Sequence, residues 1–464
     1  MPALLEARDD LAKGVARLQE KARFVEVEAQ AVGGYTVRLD SHGVYPRPSS
    51  RISGTIFRVW GGDRWIEVAG TGTDRATIQH LVEETERRIP AGAARADPPG
   101  VSATTVGSRE TRPKHPISEL SVEERVAVAK EMFGWGKAVP GIMDVSVSLT
   151  EHIDHRLYLN SAGANCYQQV LRAGAGVAPI AIENGKAEYD FVGYGGVGGR
   201  EFLDSVTEAR VTEAATCARE MLSAKAPPTG VTAVLLDPST SGTLAHESFG
   251  HGTEADQFVR ERSYLKPLVG QMVAPEFITL VDDGSAEGGN GQIYFDDEGH
   301  PSQRTPLIDH GRFVGALNDR ETGAALGQPA TGNTRRSDYT SRPFVRMTNT
   351  FLEAGDWGFD ELLEEAKEGV LLERCTSGIE DPLGGQMQIK VKRGRLIEHG
   401  KLTGRVASMA LSGKVLDVLK QIKGISGPAD FELTPGFCGK GHSDYLPVSS
   451  GGTYLLSTAI VGPA

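Results

Sequence analysis

Short runs in which apolar and polar residues alternate recur along this chain, closed by glycine turns and interleaved with apolar stripes at helical spacing. Val25, Val27 and Ala29 alternate with Glu26, Glu28 and Gln30, and Tyr35, Val37 and Leu39 follow Gly33 and Gly34, a pattern that predicts two strands joined by a glycine turn. Successive strand side chains point to opposite faces, so such a run has one apolar and one polar face. Similar runs follow near 55–60 and 65–69, from Met143 to Leu149 and from Leu157 to Leu159. Asn184 and Gly185 lie between Ile180, Ile182 and Tyr189, Phe191, which predicts a hairpin, because a type I′ turn needs positive φ at both central positions. Among the helical stripes, Leu4, Leu11, Val15 and Leu18 predict a first surface helix. Asp74 predicts an N-cap ahead of Ile78, Leu81, Val82 and Ile89. Ser121 and Glu124 form a capping-box pattern before an alanine- and valine-rich helix, and one long helix is expected over 199–223. The mixture predicts an α+β fold: N-terminal subdomains of mixed antiparallel sheet with flanking helices, then a strand-rich C-terminal domain.

A chain of 464 residues exceeds what one hydrophobic core serves. From Pro90 to Pro116 the sequence turns rich in Pro, Gly, Ala, Ser and Thr without a period, and Pro227 and Pro228 punctuate it again. The expected division is 1–92, a linker or long loop at 93–116, a middle α+β subdomain at 117–225 and a C-terminal domain at 228–464. The formal charge of −12 argues against nucleic-acid binding. No stretch approaches the ~18–20 uncharged residues of a membrane span, and the charged N-terminus is unlike a secretory signal, so a cytoplasmic protein is expected. Four scattered cysteines, Cys166, Cys217, Cys375 and Cys438, fit a reducing compartment better than a disulfide framework.

The residues that carry chemistry follow a predicted buried strand, Val231 to Asp237. The next segment begins at Pro238 as a capped helix and carries His246, Glu247 and His251. This is H-E-x-x-x-H, one residue longer than H-E-x-x-H, in which two histidines share a helical face and the glutamate takes the proton of an attacking water. Five residues of regular helix rotate by about 500°, leaving the second histidine roughly 140° from the first, so the helix must end or bulge there. Gly250 and Gly252, flanking His251, are residues that let it do so. Taken alone, the motif also fits two histidines hydrogen-bonded in a core helix.

The run from His246 to Asp256 resembles the signature of the TldD/PmbA family of metallopeptidases, also described as modulators of DNA gyrase. Further stretches match in the same order: Val281 to Gly284, Asp296 to Gly299, Thr331 to Arg336, Arg346 to Thr350 and the late Cys438-Gly-Lys440. The resemblance is to the catalytic TldD-type subunit. It implies zinc held by His246, His251 and Cys438, Glu247 as general base, and hydrolysis of unfolded or extended polypeptides. It also implies a dimer enclosing an inner cavity, either a homodimer or a heterodimer with a sister subunit lacking the metal motif. Two rival readings are a noncatalytic peptide-binding partner subunit and a metal-dependent tailoring enzyme acting on a peptide-like metabolite.

Glu254 and Asp256 are candidates to bind metal or to hold a histidine in its tautomer. His442 is read as a surface histidine. Arg335, Arg336, Tyr339, Arg342 and Arg346 suggest either a strip for peptide carboxylates or an internal ion-pair network. The glycine cluster from Gly193 to Gly199 lacks the lysine and context of a phosphate loop and is read as a flexible turn near the substrate path.

Overall fold

The computed structural model describes residues 3–49, 51–91, 93, 98–100, 105–440 and 443–464. Its fold is α+β. Asp74 caps the helix Arg75–Arg88 by accepting from the amides of Ala76 and Thr77, and Ser121 with Glu124 closes a capping box on Val122–Lys137. Asn184 and Gly185 both have positive φ and join paired strands as a two-residue hairpin.

The first two segments share one nine-stranded sheet. Strand Val25–Asp40 pairs antiparallel with Ile142–Asn160, from Glu26 opposite Asn160 to Leu39 opposite Val147. Val25, Val27 and Ala29 pack under the helices Arg8–Gln19 and Arg75–Arg88. Val145, Val147 and Leu149 pack in a second core with residues of Val122–Lys137 and Glu208–Met221. The opposite, polar face is also buried: Glu26, Glu28 and Gln30 are at most 3% exposed. Its groups meet the C-terminal domain through Arg156 to Asp297, Arg172 to the carbonyls of Asn290 and Gln292, and Gln168 to the carbonyl of Phe295.

Four expectations need correction. The two strands expected on either side of a turn at Gly33 and Gly34 are one, Val25–Asp40, which runs through both glycines in unbroken register with Ile142–Asn160; a Cβ at Gly34 would lie 2.0 Å from the Glu151 carbonyl oxygen, so the glycine there allows close strand approach rather than a turn. Within the segment read as loop, Val106–Glu110 is a strand, parallel to Asn165–Glu183; all five residues are exposed, so it has no apolar pattern and is held by backbone pairing. The helix expected over 199–223 is two, Glu201–Asp204 and Glu208–Met221, broken where Thr207 takes extended geometry. The glycine cluster expected as a flexible turn is mostly strand, Val192–Val197, and a Cβ at Gly196 would lie 1.8 Å from the Gly288 carbonyl oxygen. Glycine serves close approach there.

In the C-terminal domain, Gly230–Leu236 pairs parallel with Gly369–Asp381 and antiparallel with Leu455–Pro463. The ladder continues through Gln386–Glu398 and Met409–Lys414 back to Leu455–Pro463, so the pairings close into a ring. Closure removes free edges. A separate six-stranded sheet ends in the hairpin Glu432–Lys440 and Ser443–Gly452, and the helix Pro238–Ala245 packs between the two sheets.

Candidate metal centre

Asp237 follows the strand Gly230–Leu236 as an N-cap and accepts from the Thr240 amide at 2.8 Å, with Pro238 at the first helical position. The helix is regular to Ala245. It then widens to a π turn over His246–Gly250 and tightens to a 3-10 turn over His251–Thr253. The His251 amide donates to the His246 carbonyl, an i to i+5 bond, so residues five apart come onto one side. The imidazole centroids are 5.1 Å apart with planes at 86°. Gly250 has ordinary helical angles, φ −65° and ψ −68°; a Cβ on it would lie 2.0 Å from the Met347 sulfur. Its contribution is space for Met347 rather than unusual backbone geometry.

Strand Glu432–Lys440 brings Cys438 from the far end of the domain. Its sulfur lies 3.2 Å from His251 Nε2, and one donor atom each from His246, His251 and Cys438 lie within 4.8 Å of one another. All three cysteines elsewhere have thiols pushed up by burial, Cys217 to about 11 and Cys375 to about 12. Burial pushes Cys438 the same way, but the His251 and His246 imidazoles outweigh it and hold the thiol down to about 4. Burial alone would lower both histidines; the Cys438 sulfur reverses that for His246 and His251, with Glu254 adding to His251. His246 Nδ1 is buried without a hydrogen-bond partner among the described residues. A thiolate and two imidazoles fit Zn2+, whose tetrahedral donors stand roughly 3.5 Å apart and whose catalytic sites keep a fourth position open.

Glu247 is 9% exposed and packs against the strand Gly369–Asp381, where a Cβ at Gly378 would lie 2.4 Å from its Cγ. Glu254 reaches the other nitrogen of His251, Nδ1, at 3.3 Å. Burial would raise the Glu254 carboxyl, yet Lys440, His251 and Arg346 hold it down to about 2. Among the described residues Asp256 has no hydrogen bond to a histidine: it accepts from Lys440 Nζ at 2.6 Å, and Lys440 stands 3.0 Å from Glu254. Arg346 donates to the Cys438 carbonyl. The basic run is thus largely interior, with Arg335, Arg336 and Arg346 buried; His442 lies outside the described residues. Sequence reasoning gave Lys440 no role, although it stands two strand positions from Cys438. It also missed Glu380, whose oxygens are buried without a partner among the described residues. Burial pushes that carboxyl up to about 9, eased by His251 and reinforced by Glu247 and Glu254. Nothing in the local pattern around Glu380 marks it.

A family profile described as the PmbA/TldA metallopeptidase C-terminal domain matches residues 229–460, and one for the central domain matches 115–223. The chain belongs to the TldD/PmbA metallopeptidase family. A metalloprotease of Methanocaldococcus jannaschii is 35% identical over 320 residues, 69% of this chain and 70% of that protein. A Haemophilus influenzae metalloprotease TldD homolog is 30% identical over 73% of this chain and 71% of its own. A Saccharolobus solfataricus zinc metalloprotease TldD homolog is 32% identical over 50% and 52%. Two solved structures share the fold at low identity. A Thermotoga maritima protein, solved as a candidate modulator of DNA gyrase, has TM-score 0.79 at 18% identity, covering 98% of this chain and 100% of that one. TldE from Thermococcus kodakarensis has TM-score 0.75 at 16%, with 98% and 100% covered. Family membership places the chain among peptidase-type hydrolases. No helix among the described residues is long and apolar enough to cross a membrane.

Proposed function

We propose that the chain is a zinc metallopeptidase cutting peptide bonds in unfolded or extended polypeptides, with zinc held by His246, His251 and Cys438 and Glu247 as general base. The observation that carries this reading is the convergence of those three donors beside a buried glutamate, at a π turn that compensates the longer motif spacing. Zinc, when bound, supplies Lewis acidity toward the scissile carbonyl and lowers the pKa of an attacking water. Glu247 takes the proton from that water and returns it to the departing amine. Glu254, on His251 Nδ1, fixes the ring so that Nε2 faces the thiolate, and Lys440 holds Glu254 in place.

The strand that carries Cys438 ends its sheet and pairs on one side only among the described residues, so an extended peptide can add along it with its backbone near the donors. The reading includes a dimer, either with a second copy or with a sister subunit of the kind TldE, which shares this fold, suggests by its name. Retention of all three donors and Glu247 favours the catalytic member over a noncatalytic partner. The test is a mass-spectrometric digest of an unstructured peptide library beside Glu247→Ala, with zinc measured in both. Cutting by the native chain alone, with about one zinc per chain in each, supports the reading. Zinc in both without cutting moves the metabolite-tailoring reading or a required sister subunit ahead, and absence of zinc from both removes the metal site.

A further inference from the structure

Between the polar face of the nine-stranded sheet and the C-terminal domain lies a cavity of about 590 Å³. Val170, Tyr194, Ile293 and Phe437 give it apolar walls, while Arg156, Arg172, Arg335 and Arg336 give it cationic ones. The four arginines are 2–8% exposed.

Their counter-charges are unevenly shared. Arg156 takes both nearby aspartates, Asp154 at 3.0 Å and Asp297 in a closer pair. Glu151 is bound by Arg125 at 2.8 Å, on the side away from these groups. Arg336 has only Glu28, at 4.0 Å, and its Nε and Nη1 have no hydrogen-bond partner among the described residues. Arg172 donates to the carbonyls of Asn290 and Gln292, and Arg335 to those of Met347 and Pro447. Among the described residues neither Arg172 nor Arg335 has a carboxylate within ion-pairing distance. Burial lowers Arg172 to about 10, opposed by Asp154 and reinforced by Arg156, and lowers Arg335 to about 9, reinforced by Arg172 and Arg346 and opposed by Asp297. Buried charges are normally paired, and guanidinium forks suit planar carboxylates.

We propose that this cavity is an anion-binding site that takes a carboxylate on Arg172 and Arg335, either the free C-terminus of a peptide or a small organic acid. Apolar walls around a few convergent cations are the usual composition of a ligand site. The cavity also borders the metal hairpin: Phe437 precedes Cys438 and Leu446 lies opposite it, and both line the cavity. A peptide whose carboxylate is held here can extend toward the donors. That last step rests on the peptidase reading; the anion site itself does not.

The test measures binding rather than turnover. The zinc-loaded Glu247→Gln chain is titrated with an N-terminally labelled unstructured peptide bearing a free C-terminal carboxylate, and with the same peptide as its C-terminal amide. The expected result is roughly tenfold to a hundredfold tighter binding of the acid, the range of a charge-assisted hydrogen-bond pair. The preference should shrink below about twofold in Arg172→Met and Arg335→Met and persist in the unsubstituted arginine background after zinc is chelated. N-acetylglycine distinguishes the sources: competition as strong as the peptide's own binding assigns a small acid, and weak competition assigns the peptide terminus. Equal binding of acid and amide by the unsubstituted cavity overturns the proposal without needing any arginine variant to fold. So does a preference that disappears with the zinc, which would place the carboxylate on the metal. Should the peptidase reading fail, the acid preference would still stand or fall by these titrations.

Discussion

Glu247 and the three donors are separate residues with separable effects. Glu247→Gln keeps the shape of the side chain but removes its basicity, so about 10²- to 10⁴-fold of turnover should disappear while zinc remains near one per chain. Paired kinetics and metal analysis check this; a variant that loses zinc as well would make Glu247 structural. Gly378 offers a subtler probe, because a Cβ there would meet Glu247 at 2.4 Å while none of the three donors is among its nearest neighbours. Gly378→Ala should therefore lower kcat with zinc content unchanged, and unchanged kcat would mean that the position of Glu247 is not limiting. The side chains that the motif and the late cysteine singled out in the sequence are those the structure gathers. Lys440 and Glu380 were not legible, because their importance comes from burial beside other charges, which no local spacing encodes.

Among elements, the departure of the motif from helical periodicity was legible and its structural solution only in part. A five-residue spacing demanded a bulge, and the π turn provides it, but glycine flexibility was the wrong reason for Gly250. Its neighbour across the packing, Met347, sits 97 residues further along the chain. Gly250→Ala should cost about 1–3 kcal/mol by overpacking and reduce zinc retention by displacing the turn that carries His251. Urea unfolding and metal analysis measure the two effects, and a variant as stable and zinc-replete as the parent would show that Met347 moves freely. Caps and the Asn184-Gly185 turn were legible for the opposite reason: their chemistry is complete within a few residues. Val106–Glu110 lacked any such signal, since its strand geometry comes from a partner about sixty residues on.

At the scale of the molecule, alternation along Val25–Asp40 showed two faces but not what covers the second. That face is a buried ionic layer joining the N-terminal sheet to the C-terminal domain, and Glu26 is at its centre. It pairs with Arg58 at 2.5 Å and Arg320 at 2.8 Å and accepts from the Tyr158 hydroxyl at 2.7 Å. Burial alone would raise its carboxyl, but Arg320 and Arg58 outweigh this and hold it down from the usual 4.5 to about 2. A carboxyl depressed in the folded state binds fewer protons there than in the unfolded chain. Its stabilisation is therefore complete above pH 4.5 and is lost as pH falls from 4.5 through 2. Glu26→Gln removes one charge shared by two buried guanidiniums, though Glu67 remains 2.7 Å from Arg58, and Glu298 remains 3.2 Å from Arg320 and 3.7 Å from Arg58. The cost near neutral pH should thus be about 3 kcal/mol, at the low end for a broken buried pair. Denaturant titrations of both chains between pH 7 and pH 2 should show that gap hold steady down to about pH 4.5 and then narrow. A gap that stays constant to pH 2 would mean that the Glu26 carboxyl titrates alike in the folded and the unfolded chain, and that shape and hydrogen bonding, rather than charge, join the two halves.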